Sequence, residues 1–350
     1  MTPGTSPGEL SRSLPEDARE GTGPGGRASR RFDKTLAAIG VGVLVSGLFL
    51  WLAVRNAHPA VVGSALEKSR PGPVALAVLS MAVVYAFQAA RWRRIASTPA
   101  IRLARFYEMV VSGVACNNVL PIRLGDVLRA RWLGMAARYS TGRALGTVVL
   151  DRGCDVVALL VFLVLGGTAV ASSNYILRIA LGGALLILLL AALVLFARRY
   201  VARRSRGRRA RGLVRRVLRD TAEMLAEPLG TRRPLTWIGL SLAAWATWSV
   251  GAVLVGRSLD IHLSFLDAVL VAAIVNLGVA LPSSPGYIGT YQWLTVAALG
   301  LIGFPVDQAL AYSIVLHASW YVPTTLAGGA ALCVRAFRRR VLGVPSSRRS

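Results

Sequence analysis

Acidic residues are scarce in this 350-residue chain, with 16 Asp and Glu against 41 Lys and Arg, and lysine is nearly absent, at Lys34 and Lys68 only. Charged residues make up 16% of the chain and hydrophobic residues 54%, with a mean hydropathy of +0.55. This composition excludes an ordinary soluble domain and is typical of a polytopic membrane protein. The net charge of +25 therefore predicts attraction to anionic lipid rather than to nucleic acid.

The residues that metal and redox chemistry need are also few. The three histidines, His58, His262 and His317, lie far apart, and the three cysteines have no metal-ligand spacing. The phosphate-binding P-loop and the dinucleotide-binding glycine fingerprint are missing. We therefore expect no metal and no cofactor. Enzymatic activity stays open, and a non-enzymatic role is favoured.

Apolar runs long enough to cross a bilayer dominate what is present, since about 20 residues span its core. A shorter run, residues 293–304, spans only if residues 286–292 join it, and residues 106–120 are short enough to be re-entrant. We predict an all-α polytopic membrane helix bundle of about eight spans plus one re-entrant element. The seven longer runs are residues 35–54, 73–90, 145–170, 176–197, 234–255, 264–281 and 308–334.

The arginines cluster on one side of these runs. Residues 198–219 alone carry eleven Arg and no acid. The positive-inside rule then places both termini in the cytoplasm, with the chain in the cell membrane. The predicted organisation is a disordered cytoplasmic tail (1–34), a membrane domain (35–334) containing a basic cytoplasmic loop (198–233), and a basic tail (335–350).

Two helix-breaking sequences share one pattern, Leu-Pro-x-x-x-Gly, at residues 120–125 and 281–286. Proline lacks an N–H donor and glycine loses more entropy in a helix, so the pair interrupts helical structure. In a bilayer, interrupted helices survive only where protein or a water-filled cavity shelters the backbone. Paired interruptions in two halves of a membrane protein indicate a transport site, although two ordinary turns give the same pattern.

Charged residues follow the first break and recur in the next apolar run. Asp126 lies three residues from both Arg123 and Arg129, so local ion pairs are expected. Asp151 and Asp155 share a helix face, and they repel each other unless an arginine lies between them or one of them is protonated. An arginine of the first cluster is the expected partner. Such intramembrane charges indicate function. The alternative is a buried salt-bridge network that clamps the re-entrant element to the bundle.

The second break is uncharged, and its hydroxyl, amide and backbone groups are suited to hydrogen-bonding a polar head group. We interpret His317 as a hydrogen-bonded contact between helices, with ligand binding as the alternative. The candidate substrate-binding residues are Asn118, Pro121, Arg123, Gly125, Asp126, Arg129, Asp151, Arg152, Asp155, Pro282, Ser283, Ser284, Gly286, Tyr291, Gln292 and His317.

Three stretches resemble the transmembrane-region family of lysylphosphatidylglycerol synthases, also called flippase-like: residues 118–126 with Arg129, residues 151–155, and residues 281–292 followed by His317 and Pro323. The resemblance extends from about residue 35 to 335. Many relatives have Glu at the positions of Asp126, Asp151 and Gln292, so the last position loses a charge here. The resemblance implies the lipid-translocating half of a synthase without its soluble aminoacyl-transferring domain.

From the residues and the resemblance together, we expect a lipid translocator or an accessory to lipid or cell-envelope biosynthesis. A phosphate-bearing head group would pass through a polar groove between the two breaks, drawn in by arginines. The expected partners are membrane lipids, anionic phospholipid above all, and a separately encoded synthase or glycosyltransferase. The alternatives are an intramembrane lipid-modifying transferase that uses Asp151 and Asp155, and a non-transporting scaffold for a separate synthase.

Overall fold

The computed structural model describes residues 44, 47–120, 123–170, 182, 220, 223, 233–279 and 285–341, and the described part is helical without strands. Residues 47–54 are helical. Nine further α-helices follow: α1 (Pro59–Glu67), α2 (Pro71–Ala96), α3 (Leu103–Val119), α4 (Leu124–Ala137), α5 (Thr141–Val170), α6 (Arg233–Ser258), α7 (Phe265–Gly278), α8 (Thr290–Ile302) and α9 (Val306–Val341).

Two of the described helices, α2 and α6, are long and apolar enough to cross a membrane by length and hydropathy. Helix α2 shows why the surface suits lipid. It buries Ala77, Met81 and Trp92 on one face and exposes Leu76 and Leu79 on the other. Large apolar side chains on an exposed face are a liability in water and are favourable against acyl chains.

The centre of the bundle is the packing of α2 against α6, the most extensive helix pair in the described structure. Small residues allow the close approach. A side-chain carbon added to Gly251 would lie 2.5 Å from the Ser80 hydroxyl oxygen, so a larger residue would have to displace that hydroxyl. Helix α3 packs on α2, α4 and α9, and α7 packs on α5 and α8. Helix α7 also packs on α6, so the helices that end at the two breaks, α3 and α7, both contact the α2–α6 core.

At the first break the chain reverses direction, so that α3 and α4 form a helical hairpin. Helix α3 ends at Val119, Arg123 has the left-handed backbone conformation (φ 50°), and α4 begins at Leu124. The hairpin is tight, because a side-chain carbon on Gly125 would lie 1.9 Å from the carbonyl oxygen of Gly113. A helix of 17 residues is about 26 Å long at 1.5 Å per residue, shorter than a bilayer core of about 30 Å.

The second break separates α7 from α8. Helix α7 ends at Gly278, and the chain resumes as a 3₁₀ turn, Pro285–Tyr287, in which Gly286 has φ 72°. This turn packs on α3. The two breaks, 161 residues apart in the sequence, are therefore neighbours in the fold.

The all-helical prediction is confirmed. The predicted runs at residues 73–90, 145–170, 234–255, 264–281 and 308–334 coincide with α2, α5, α6, α7 and α9, whose ends differ by several residues. The short run at residues 293–304 falls largely in α8. Of the preceding stretch, residues 286–292, only residues 290–292 join this helix. Residues 1–43, 45–46, 171–181, 183–197, most of the basic loop, and 342–350 lie outside the described residues, so the tail at 1–34, the first part of the run at 35–54 and the run at 176–197 stay predictions. The number of crossings and the side of the termini stay predictions.

Candidate functional site

The centre of the charged cluster is Arg91 of α2, which lies between two carboxylates of α5. Its Nε donates to Asp151 Oδ1 (2.8 Å), Nη1 donates to Asp155 Oδ1 (2.6 Å), and Nη2 donates to Asp155 Oδ2 (3.1 Å). Nη1 also reaches the Ser241 hydroxyl of α6 (2.6 Å). Arg91 and Asp151 are each 1% exposed. One guanidinium thus cancels the repulsion of two buried carboxylates four residues apart.

The first break is tied to the same cluster through α4. Arg129 donates to Asp151 Oδ2 (2.8 Å) and stacks on the Trp92 ring with Cζ 4.3 Å from its centroid. The first cluster therefore supplies a partner for Asp151, but the arginine between Asp151 and Asp155 is Arg91 of α2 and not, as expected, a member of that cluster. Arg152 turns toward Asp126 and donates to both of its carboxylate oxygens, at 2.7 and 3.1 Å. The planar fork of arginine suits this bidentate pairing. The α3–α4 hairpin is therefore clamped to α5 by ion pairs.

Arg123 behaves differently from the other arginines of the cluster. Its Nη2 donates to the carbonyl oxygen of Val279, just before the second break, and its Cζ lies 5.6 Å from the ring centroid of Tyr287, just after that break. In the part of the chain that the structure describes, Arg123 pairs with no carboxylate. The expected ion pair with Asp126 is not formed. Arg123 instead joins the two breaks.

The second break is organised by neutral hydrogen bonds and rings. Gln292 Oε1 accepts from the Gly289 N–H (2.7 Å), so its amide nitrogen is the group that faces His317 Nδ1 (2.9 Å). Tyr291 stacks on His317 with ring centroids 4.4 Å apart and planes 16° apart. His317 is thus an interhelical contact between α9 and α8, in agreement with the structural interpretation of that residue.

A cavity of about 350 Å³ opens between the two breaks and the α2–α6 core. Arg123, Arg152 and Asp155 of the charged cluster border it. Its volume falls in the range of about 300–1,000 Å³ of small-molecule pockets. The remaining lining residues are Met81, Val84, Tyr85, Gln88, Val114, Asn117, Asn118, Val156, Leu159, Trp245, Trp248, Asn276, Leu277, Val279, Tyr287 and Trp320.

A second, wider cavity of about 630 Å³ lies at the C-terminal end of α2 and the N-terminal end of α6. Arg93, which borders it, donates to the carbonyl oxygens of Ile101 (2.9 Å) and Pro99 (3.0 Å). This cavity touches neither break and none of the buried carboxylates. The smaller cavity is the stronger candidate site, because the charges and both breaks meet there.

The predicted site residues separate into four groups. Arg123, Arg152, Asp155 and Asn118 border the cavity, while Asp126, Arg129 and Asp151 hold the charges behind it. Gly125, Gly286, Tyr291, Gln292 and His317 are absent from the cavity lining and serve packing or hydrogen bonding around the breaks. Pro121, Pro282, Ser283 and Ser284 lie outside the described residues.

Sequence reasoning missed Arg91 as a site residue. Arg91 directly follows the predicted apolar run at residues 73–90, where a basic flank is expected, whereas the structure buries it at the centre of the cluster. Helical spacing was the feature that could have identified Arg91, since it lies on the same helix face as Met81, Val84 and Gln88. Asn117, Trp245 and Trp248 were also missed, and no charge or breaker marked them.

Comparison with known proteins places these features in a family. The profile of the lysylphosphatidylglycerol synthase TM region matches residues 39–328, a stretch that includes both breaks and all three aspartates of the cluster. A UPF0104 membrane protein of Methanothermobacter thermautotrophicus is 32% identical over 101 residues. That alignment covers 28% of this chain and 30% of the relative, so the chain matches under a third of the relative's length.

Proposed function

The chain belongs to the lysylphosphatidylglycerol synthase transmembrane-region family, and we propose that it is a lipid translocator of the cell membrane. In this proposal, the head group of a phosphate-bearing lipid enters the cavity between the two breaks. Both chain termini lie in the cytoplasm, and about eight spans plus the α3–α4 hairpin cross or enter the bilayer. The observation that carries the proposal is the position of Arg123, on the cavity wall between the breaks and without a carboxylate partner among the described residues.

The charge balance around the cavity supports an anionic ligand. Four arginines (Arg91, Arg123, Arg129 and Arg152) meet three aspartates (Asp126, Asp151 and Asp155), so one positive charge is in excess. A guanidinium that donates to a neutral carbonyl binds more weakly than one that donates to an anion. A lipid phosphate is therefore able to replace the Val279 carbonyl as the partner of Arg123.

The two breaks have different tasks in this mechanism. The first break supplies the charge that attracts the phosphate, and the ion pairs behind it hold the hairpin in place. The second break, with its aromatic rings and neutral hydrogen bonds, shapes and gates the groove. Transport follows the lipid gradient or requires a partner, such as a separately encoded synthase or glycosyltransferase.

The transferase alternative has less support. Such an enzyme needs a free carboxylate as nucleophile or base. Asp151 accepts from Arg91 and Arg129, and Asp155 accepts from Arg91 and Trp245. Both carboxylates are therefore held by partners that lower their nucleophilicity.

Reconstitution into liposomes tests the proposal. Fluorescent anionic phospholipid in the inner leaflet becomes accessible to a membrane-impermeant reductant only after translocation, so the bleaching rate measures transport. We expect wild-type protein to translocate the lipid and Arg123→Gln to lower the rate about tenfold or more, since hydrogen bonds to charged groups contribute about 1.5–3 kcal/mol.

The matched control is Arg70→Gln, because Arg70 forms an exposed pair with Asp260 (2.9 Å) away from the cavity. It is expected to retain the wild-type rate. Equal rates for Arg123→Gln and wild type, or no translocation by the wild-type protein above empty liposomes, would refute the proposal.

A further inference from the structure

The cavity contains buried amides whose hydrogen-bonding capacity is not used. Asn117 and Gln88 are each 8% exposed and Asn118 is 1% exposed. Asn118 donates to the Thr325 hydroxyl (2.8 Å), but its Oδ1 and the Oδ1 of Asn117 accept nothing within the described structure. Gln88 forms no hydrogen bond with any described residue. Buried polar groups are normally paired, so three such amides around one cavity indicate a polar ligand.

The chemistry of an amide restricts that ligand. An amide offers an acceptor oxygen beside two N–H donors, and a hydroxyl both donates and accepts. Asn117 Oδ1 lies against Gly125 of the hairpin, so the amide nitrogen is the group that Asn117 offers to the cavity. A group with several neighbouring hydroxyls is able to pair with this nitrogen and with the amides of Gln88 and Asn118. A choline or other alkylammonium group supplies no such pairs.

The walls of the cavity are rich in aromatic rings. Flat rings pack against the apolar C–H face of a sugar while the sugar hydroxyls at its edge reach polar groups. Aromatic rings also attract cations, but Arg123 and Arg152 share this cavity and repel them. The five rings belong to Tyr85, Trp245, Trp248, Tyr287 and Trp320.

A cationic head group also finds no free anion here. Asp155, the carboxylate that borders the cavity, accepts from Arg91 through both oxygens and from Trp245 Nε1 (3.1 Å). Asp126 is held by both nitrogens of the Arg152 fork. The unused charge of the cavity is positive, and its unused hydrogen-bonding groups are neutral amides.

We propose that the ligand of this cavity is a sugar phosphate, presented as the head group of a lipid. The phosphate binds Arg123, the sugar hydroxyls bind Gln88, Asn117 and Asn118, and a sugar face packs on the tryptophans. This assignment rests on the proposed function, because it names the class of head group that the same groove accepts.

Binding to the wild-type protein separates the candidate ligands. The purified full chain in neutral nanodiscs is titrated with four probes while tryptophan fluorescence is followed: hexose 1-phosphate, a hexose joined to a lipid through phosphate, the same lipid phosphate without sugar, and phosphocholine. We expect the glycosylated lipid to bind about tenfold more tightly than the unglycosylated one, since hydrogen bonds to the sugar are gained. Phosphocholine is expected to bind most weakly.

The outcomes of the four titrations are distinguishable. Equal affinity for the glycosylated and unglycosylated lipid phosphates, or preference for phosphocholine, overturns the sugar assignment and leaves the proposed function standing. If no phosphate-bearing probe binds, the proposed function fails with it. Hexose 1-phosphate binding as tightly as the lipid-linked sugar would overturn the lipid source and identify a free sugar phosphate as the ligand.

Variants locate the sugar within the cavity. Gln88→Met keeps the length of the side chain and removes the amide, so it is expected to weaken glycosylated lipid about three- to tenfold and to leave the unglycosylated phosphate unchanged. Arg123→Gln is expected to weaken both. Gln308→Met is the matched control, because Gln308 is exposed at the start of α9. Unchanged selectivity in Gln88→Met overturns the assignment of hydroxyls to this amide, and a variant that fails to fold leaves the wild-type titrations decisive.

Discussion

The two breaks begin with the same Leu-Pro-x-x-x-Gly pattern and are stabilised by opposite chemistry. The first is held by buried ion pairs that connect α4 and α5, and the second by a glutamine, a histidine and stacked rings. Arg123 is the point of contact between them. A shared sequence pattern therefore specifies an interruption of the helix, whereas the neighbouring helices determine which chemical groups surround the interruption.

The largest effect is expected from removing the centre of the ionic side. Arg91→Met removes the cation that Asp151 and Asp155 share, while both carboxylates stay buried. Breaking a buried ion pair costs about 3–5 kcal/mol. The expected result is a strongly lowered midpoint of thermal unfolding in detergent, measured by circular dichroism. The equivalent loss on the exposed surface, Arg70→Met, is expected to cost about 1 kcal/mol or less.

A compensating variant tests whether charge is the cause. Arg91→Met combined with Asp155→Asn removes one carboxylate along with its cation and is expected to recover part of the lost stability. If the single variant Arg91→Met unfolds at the wild-type midpoint, the ion pairs do not hold the first break. No recovery in the double variant would assign the loss to packing instead of charge.

A smaller effect separates the glycines of the two breaks, which are needed for different reasons. A side-chain carbon on Gly125 meets the Gly113 carbonyl at 1.9 Å and Asn117 Oδ1 at 2.7 Å, so Gly125→Ala forces α3 and α4 apart. Overpacking of this kind costs about 1–3 kcal/mol. In Gly286→Ala the added carbon lies 2.9 Å from the Tyr321 ring, and the alanine must also adopt φ 72°. This left-handed conformation adds about 1–2 kcal/mol to the cost.

The control is Gly300→Ala in α8, where no atom lies within 4 Å of the added carbon. It is expected to stabilise the helix by about 0.5–1 kcal/mol. The alanine at position 125 also displaces Asn117, which borders the cavity, so lipid binding should fall together with stability. If Gly125→Ala and Gly286→Ala both unfolded at the midpoint of Gly300→Ala, neither break would require its glycine.

The sequence predicted the helices and most of the charged cluster, because a charge in an apolar run is conspicuous. Asp151 is an example, since its place on one helix face with Asp155 called for an arginine from the first cluster, and Arg129 of that cluster donates to it. Arg91 was not recognised because arginines at the end of a span usually mark the cytoplasmic boundary. Gln88 and Asn117 carry no charge, so only the three-dimensional position of their helices reveals that they share a cavity.

Arg123 shows why the link between the breaks was not predictable. Its residue type suggested an ion pair with Asp126 three residues away, as in a continuous helix. The break places Arg123 in the left-handed conformation, which directs it to Val279 in α7's C-terminal turn. Local spacing rules apply only where the helix is regular, and the break removes that regularity at the residue that matters most for the proposed function.

The smallest effect on stability is expected from a contact that lies far from both breaks, so it serves as a reference for the variants at the breaks. The backbone N–H of His58 (2.6 Å) and its ring Nδ1 (3.1 Å) both contact the carboxylate of Asp307 at the start of α9. The His58 backbone hydrogen bond, followed by the ring contact, holds the pKa of Asp307 below its ordinary value. Stability from this contact is therefore present above the unfolded pKa of about 3.9 and is lost as the pH falls through the lower folded pKa.

Thermal midpoints of wild type and Asp307→Asn, measured from pH 7 down to pH 3, isolate this contribution from the other carboxylates. The two midpoints are expected to differ slightly at pH 7 and to converge as the pH falls below about 4. Lipid binding, which depends on the cavity, is expected to be equal in both proteins at pH 7. A difference that grows with acid would contradict the contact, and a loss of lipid binding would mean that the breaks respond to the far end of α9.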